Sequence, residues 1–503
     1  MDSILSGFSV SLTPFNLLIC FAGVLIGTLI GVLPGIGPIG TMALLMPITF
    51  RVPPVSAIIM LSGIYYGAQY GGSTTAILVN IPGEATSAMT CLDGHQMALQ
   101  GRAGPALGTA AFSSFIAGTL GVTALCFFGP PLADFGIKFG PPEFCSLVFM
   151  CLMLIGYLGT KSFLRALMMV AVGLLIGTIG QDPIILRPRF VFGLSEFNDG
   201  ISIVPILIGI FGIGEILSNV ANKKVEQEVV TTEIKRLFPS LRDWRDFMAA
   251  AFRGSFIGFF IGLIPGGGAI IPTFVSYAIE KRVSKHPEKF GHGAIEGVAG
   301  PEAANNAASQ ATFVPLLTLG IPPNATMAVL LGALMIQGVK VGPLLISQNP
   351  EIFWGVVTSM YIGNVMLLVL NLPLIPLWVR VLKIPVHFLF PLIVLFCVVG
   401  VYSINNSLLD LVLLFVFGIV GYLIRRYQYD PAPLIMGLIL SPILEKSLRQ
   451  SLLMSRGQFS IFFKRPISLS FIVASVIILA SYFVFEVLRR SREPRPEEKT
   501  ISQ

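Results

Sequence analysis

From Pro14 to Pro34 the chain is uncharged and apolar, and the stretch closes on Gly27-x3-Gly31-x2-Pro34-Gly35-x-Gly37. The same pattern returns 231 residues later as Gly258-x3-Gly262-x2-Pro265-Gly266-x-Gly268. Each reads as a hydrophobic helix broken by Pro-Gly. A break in hydrocarbon leaves N–H and C=O groups unpaired, which a bilayer tolerates only where the backbone is buried in protein or lines a cavity. Two such breaks, at corresponding places in two halves of one chain, point to a binding site at their level.

Composition agrees with a membrane setting: of 503 residues 54% are hydrophobic and 12% charged, about half the charge of a soluble domain. At about 20 apolar residues per crossing, candidate spans are 15–33, 106–129, 143–160, 163–180, 201–217, 249–264, 352–379, 386–403, 408–424 and 467–488. Shorter pieces at 38–50, 55–65, 74–82, 269–279, 309–321, 326–338 and 431–444 are expected as half-helices or re-entrant hairpins. The expected fold is an all-α polytopic membrane protein with about 10–14 crossings or partial crossings. Residues 15–33 follow a tail without a basic n-region and read as a retained span rather than a cleavable signal. The net charge of +7 is spread over short loops and helix ends, a topology signal rather than a nucleic-acid surface. Tail 489–503 suggests a cytoplasmic C-terminus, but 446–465 is equally basic and leaves the last helix unoriented. Six scattered cysteines with no C-x2-C pair read as small buried hydrophobes.

The repetition has further anchors. Ile81-Pro82-Gly83-Glu84-Ala85-Thr86 recurs as Ile321-Pro322-Pro323-Asn324-Ala325-Thr326, and Gln100-Gly101 with Gly104-Pro105 as Gln337-Gly338 with Gly342-Pro343. Two pseudo-symmetric repeats with broken helices are therefore expected. The first transmembrane repeat covers 1–217 and the second 248–445. A polar linker, 218–247, joins them and reads as a solvated connector. A basic connector, a final helix at 467–488 and a charged tail fill 446–503.

Polar residues open an apolar run in each half: Ser73-Thr74-Thr75 ahead of 76–81, and Asn305-Asn306 with Ser309 ahead of 311–321. Each reads as a capped helix N-terminus, whose free N–H donors and partial positive charge suit an anion. Substrate carboxylates are thus expected at Ser73, Thr74, Thr75, Asn305, Asn306 and Ser309. The turns at Gly35, Gly37, Pro82, Gly83, Gly266, Gly268, Pro322 and Asn324 would shape the broken backbone, and their freed carbonyls would suit Na⁺. Gly266-Gly267-Gly268 lacks the Gly-Lys-Ser/Thr end of a P-loop. Glu215, Asp410 and Glu445 lie near predicted helix ends and are expected to snorkel to the interface; His95 is expected in a loop. No His-Glu-x-x-His or Gly-x-Ser-x-Gly string supports an enzyme.

Gly31-Val32-Leu33-Pro34-Gly35-Ile36-Gly37-Pro38, Tyr66-Gly67-Ala68-Gln69-Tyr70-Gly71-Gly72-Ser73-Thr74 and Leu92-Asp93-Gly94 also carry a resemblance. With Gly262-Leu263-Ile264-Pro265-Gly266-Gly267-Gly268, Gly300-Pro301-Glu302-Ala303-Ala304-Asn305-Asn306-Ala307 and Leu319-Gly320-Ile321-Pro322, they make nearly the whole chain similar to the large membrane subunit of tripartite tricarboxylate transporters, the TctA type. The resemblance implies a multi-pass permease of a bacterial inner (plasma) membrane. Its expected partners are a periplasmic solute-binding protein, a small four-helix membrane subunit and membrane lipid. It would import tricarboxylates or related carboxylates by secondary transport, with a Na⁺ or proton gradient as driving force and no further cofactor. A passive anion channel is the alternative reading.

Overall fold

The computed structural model describes residues 2–33, 37–158, 162–182, 184–198, 200–221, 237–266, 268–381 and 386–492. Gly35, linker residues 222–236 and tail residues 493–503 lie outside them. The described chain is almost wholly helical. Its only strands among these residues form one short antiparallel pair, β1 (Gly180–Gln181) and β2 (Pro188–Arg189). Six helices among the described residues are long and apolar enough to cross a bilayer, and five shorter apolar helices accompany them. The protein is an all-α polytopic membrane protein.

Two compact units are present, and neither is continuous in sequence. The first comprises Met1–Lys138 and Ser202–Ile435, the second Phe139–Ile201 and Met436–Gln503. In the first, α1 (Asp2–Ser11), α2 (Pro14–Val32), α3 (Gly37–Thr49), α4 (Pro54–Val79), the single turn α5 (Ala88–Thr90) and α6 (Ala103–Gly136) come from the N-terminal half. After the intervening α7 (Pro141–Leu158) and α8 (Phe163–Ile176) of the second unit, the first resumes with α9 (Ile203–Leu207), α10 (Gly214–Ala221), α11 (Leu241–Gly262) and α12 (Ile270–Val283). It continues through α13 (Glu296–Ala311), α14 (Phe313–Leu319), α15 (Ala325–Ile336), α16 (Leu345–Gln348), α17 (Pro350–Asn371), α18 (Ile375–Val381), α19 (Val386–Asn405) and α20 (Leu408–Arg426). Most of α21 (Ala432–Met454), then α22 (Ile461–Lys464) and α23 (Pro466–Arg492), complete the second unit.

Two pairs of helices in the first unit pack through glycine. Gly23, Gly27 and Gly31 of α2 lie so close to α4 that a Cβ on any of them would collide with the carbonyl oxygens of Met60, Ile64 and Ala68. In α11, Gly254, Gly258 and Gly262 meet the backbone of α13 at Gly300, Ala304 and Ala308 in the same way. In lipid there is little hydrophobic drive between helices, so close backbone approach through small residues supplies the contact. That explains why the glycines stand four apart, on one face of each helix.

Several expectations need correction. The pieces 55–65 and 74–82 are not half-helices; α4 runs unbroken for 26 residues through Gly71-Gly72-Ser73-Thr74-Thr75. Gly and β-branched residues have weak helix propensity, but burial of nearly the whole helix overrides it. The predicted span 352–379 is divided into α17 and α18 around Leu372-Pro373-Leu374, since proline cannot continue the ladder. His95 lies not in a loop but on a π-helical turn, Cys91–His95, with Nδ1 3.0 Å from the Ile77 carbonyl oxygen. Glu215 pairs with Arg425 at 3.0 Å, and Asp410 accepts a bond from Asn405 at 2.8 Å in the first turn of α20.

The second unit has its own polar clamp. Arg189 grips Glu445 through two bonds of 2.6 and 3.0 Å, and Arg449 joins Glu445 to the buried Asp182. Glu445 therefore belongs to a charge network rather than snorkelling alone. The Arg449 guanidinium beside Asp182 holds its carboxyl well below the usual carboxylate range, aided by the N–H groups of Ile185 and Ile184.

Candidate functional site

The turns that follow α4 and α14 each pack against a neighbouring segment. In the N-terminal half, Gly83 sits against Gly31 and Gly72 so tightly that a Cβ would strike their backbones, and its N–H faces the Gly72 carbonyl at 3.4 Å. In the later half, Gly266 donates its N–H to Pro323 at 2.8 Å, beside the buried Pro322. Gly268 is in van der Waals range of Asn324 through an added Cβ at 3.8 Å. Asn324 caps α15, accepting from Met327 N–H at 2.8 Å, and its amide reaches Tyr65 Oη at 3.3 Å. Positive φ angles recur at matched places: Gly37 (+61°) and Gly268 (+51°), Asn80 (+57°) and Gly320 (+71°), Gly101 (+76°) and Gly338 (+72°). Pro82 is exposed.

The expected helix N-termini are not formed. Ser73, Thr74 and Thr75 lie inside α4, and Asn305, Asn306 and Ser309 inside α13. Their backbone N–H groups sit in helical interiors, so free N–H donors do not make an anion site there. Capping residues stand where a helix begins only when the chain before them is non-helical; here it is helix. The side chains nonetheless gather. Ser73 Oγ donates to Glu302 Oε2 at 2.6 Å, Ser114 Oγ of α6 donates to the same oxygen at 3.3 Å, and Thr90 Oγ1 donates to Oε1. Asn306 Nδ2 donates to Ser114 Oγ at 2.7 Å. Thr75 instead ties α4 to the Val32 carbonyl at 2.8 Å, just before the first break, and Ser309 bonds back to the Asn305 carbonyl at 2.9 Å.

Glu302 escaped the sequence reading. It is 1% exposed, and among the described residues its hydrogen bonds come from hydroxyls alone. The other buried acids of this unit are differently held. Asp93 accepts the N–H groups of Gly291, Gly293 and Ala294, each at 2.8 Å, and the Tyr277 hydroxyl at 2.9 Å. Glu280 is gripped by Arg253. One signal was available: Glu302, Asn306 and Gln310 stand four apart and form a polar stripe along one face of α13.

Around that stripe lie buried polar atoms with no hydrogen-bond partner among the described residues: Asn305 Oδ1 and Nδ2, Asn306 Oδ1, Gln310 Oε1, and Thr109 and Ser113 hydroxyls of α6. Burying an unpaired amide or hydroxyl costs about 1–3 kcal/mol by mutational scales, and native proteins keep such groups few. Their concentration on α6 and α13 marks the place where a polar ligand would satisfy them. A cleft beside it, lined by Tyr70, Ser73, Thr74, Ser114 and Asn371 among others, has about 10 Å³ of free volume, the room of roughly one water. The described residues contain no group of three or more His, Cys, Asp or Glu suited to a metal.

Comparison with known proteins fits this architecture. The tripartite tricarboxylate transporter TctA family matches residues 17–436. An uncharacterized 52.8 kDa protein in the TAR-I ttuC' 3' region of Agrobacterium vitis is 50% identical over 470 residues, 93% of each chain. A second Agrobacterium vitis protein, in the TAR-II ttuC' 3' region, is 52% identical over 213 residues, 42% of this chain and 88% of its own. An uncharacterized protein of Methanocaldococcus jannaschii is 24% identical over 278 residues, 54% of this chain and 64% of its own. No solved structure matches. With the match spanning most of the chain and the fold that of a multi-pass membrane protein, this chain belongs to the tripartite tricarboxylate transporter TctA family.

Proposed function

We propose that the protein is the permease subunit of a binding-protein-dependent secondary transporter that imports tricarboxylates or related carboxylates. The observation that carries this reading is the set of buried polar side chains on α6 and α13 that have no partner among the described residues. A structure built only for packing would fill those positions with apolar groups. Ser73, Thr74, Asn305 and Asn306 would contact substrate carboxylates by side chain, with Thr75 and Ser309 bracing the backbone behind them. Gly37, Gly83, Gly266, Gly268, Pro82, Pro322 and Asn324 would shape the breaks, whose carbonyls are the expected place for Na⁺ if sodium is the driving ion.

The reading also names a setting: a bacterial inner membrane, a periplasmic solute-binding protein that delivers the carboxylate, and a small four-helix subunit. The test is uptake of labelled citrate into proteoliposomes holding this chain and both partners, with inward Na⁺ and proton gradients imposed separately. Uptake that needs a gradient and the binding protein is the expected result. Uptake that needs neither would replace the carrier by a channel.

A further inference from the structure

We propose that Glu302 is the proton-carrying group of this transporter: it takes up one proton when the carboxylate substrate binds beside Ser73 and Asn306 and releases it on the opposite side. This rests on the carboxylate-permease reading above. Two side chains assigned to the substrate, Ser73 and Asn306, are joined to Glu302 directly or through Ser114. An anion held there stands within a few ångströms of a second carboxylate, and like charges that close in a dry interior do not both persist. Substrate binding and neutralisation of Glu302 are therefore linked, and linkage is reciprocal.

The described surroundings supply no fixed countercharge. Among the described groups on the elements packed against α13, no cation bonds to Glu302. Arg253 of α11 is paired with Glu280 of α12, and Tyr277 of α12 with Asp93. Glu84, ahead of the turn Ala85–Ser87, is a second acid whose Oε1 has no partner among the described residues, and His95 turns its Nδ1 to the Ile77 carbonyl oxygen. Tyr70 of α4 donates to Asn364 at 2.7 Å, and Cys91 follows Thr90 as a neutral thiol. Glu302 thus meets hydroxyls from three segments and no cation. Ser73 and Ser114 each touch Oε2 and line the cleft, so they form a one-step relay between cleft water and the carboxyl. On loading, an O–H bond forms at Glu302 with a proton from that water. On release the bond breaks, the proton passes to water on the other side, and the carboxylate is regenerated.

Two measurements on the full chain test this. The first is infrared difference spectroscopy of the purified protein in lipid as pH is stepped, with citrate as probe. Wild type should show a protonated-carboxyl band that strengthens with citrate and is missing in Glu302→Gln, while Glu302→Asp shifts it. A band that survives in Glu302→Gln overturns the proposal, and so does a Glu302 carboxylate signal that responds to Na⁺ and not to pH. The second uses the assembled transporter in vesicles with the membrane potential clamped at zero. A one-unit inward pH gradient should accumulate citrate about tenfold for one proton carried. Glu302→Gln should lose both that accumulation and the pH dependence of citrate binding, and Glu302→Asp should restore both with a displaced pH profile. Accumulation unchanged in Glu302→Gln overturns the proton role while leaving the permease reading intact. Absent citrate transport in wild type, with the Glu302 band present, instead counts against the substrate reading.

Discussion

Asn305 buries a carboxamide with neither polar atom paired among the described residues, and nothing in the surrounding fold explains that placement by packing. Replacing an unsatisfied buried amide with an apolar side chain of similar volume removes a cost rather than a bond. Asn305→Leu should therefore keep or raise the melting temperature of the detergent-solubilised protein while citrate uptake falls at least tenfold. Asn306→Leu should also abolish uptake but lower the melting temperature, because it strips the 2.7 Å bond to Ser114 and the 3.0 Å bond to the Glu302 carbonyl. Full uptake in both variants would remove the pair from the site. At this scale the sequence was informative about neighbourhood and misleading about chemistry. Ser73 and Asn306 do lie near one another, but as side chains facing Glu302 and Ser114, not as helix caps. Local pattern marks small polar residues ahead of an apolar run; it does not reveal that the helix continues through them, because the burial that holds α4 helical is tertiary. Glu302 was passed over since a single acid beside alanines carries no local signal of its hydroxyl partners, which come from 188 to 229 residues away.

Elements are set by the glycine faces. A methyl on Gly27 would strike the Ile64 carbonyl and one on Gly258 the Ala304 carbonyl, and backbone cannot swing aside as a side chain can. Overpacking of this kind costs about 1–3 kcal/mol. Gly27→Ala and Gly258→Ala should each lower the melting temperature markedly, with α2 separating from α4 and α11 from α13. Gly332→Ala in α15 is the control: its Cβ meets only Ile203 Cγ2, at 3.8 Å, and helix propensity favours alanine, so its melting temperature should hold or rise. Equal loss in all three variants would overturn the assignment of these glycines to helix contact. The Gly-x3-Gly spacing was legible because it is local and periodic. Where the partner helix lay was not, since that depends on the turn between them. The same limit explains the missed α17–α18 joint: hydropathy runs on past Pro373 although the hydrogen-bond ladder cannot.

At the scale of the molecule, two compact units are each built from two separate stretches of the chain. The second carries the charge network on Asp182. Its carboxyl is held below the ordinary range in the folded protein, so the stabilisation is present above the unfolded value, near 4, and is lost as pH falls through the lowered one. Asp182→Asn should melt lower than wild type by a gap that is constant from neutral pH to about pH 5 and closes only in stronger acid. A gap that widens with acid would contradict the assignment. In the first unit the issue is duplication. The glycine contacts of α2 on α4 reappear in α11 on α13 with shifts of 231 and 240 residues, the same shifts that relate Gly37 to Gly268 and Asn80 to Gly320. These pairings are what the expected repeat would give, and they make it testable as function. Gly37 has nothing within 4 Å of an added Cβ and Gly268 only Asn324 at 3.8 Å, so substitution at either strains backbone alone, by about 1–2 kcal/mol for an ordinary residue in the left-handed region. Asn tolerates that region better than Ala, and a β-branched residue least. Uptake should fall in the order Asn, Ala, Val at Gly37, and in the same order and to a similar depth at Gly268, if the two breaks serve as equivalent hinges of one duplicated carrier. A series that is steep at one position and flat at the other would mean that the halves share a shape but divide the work of transport unequally.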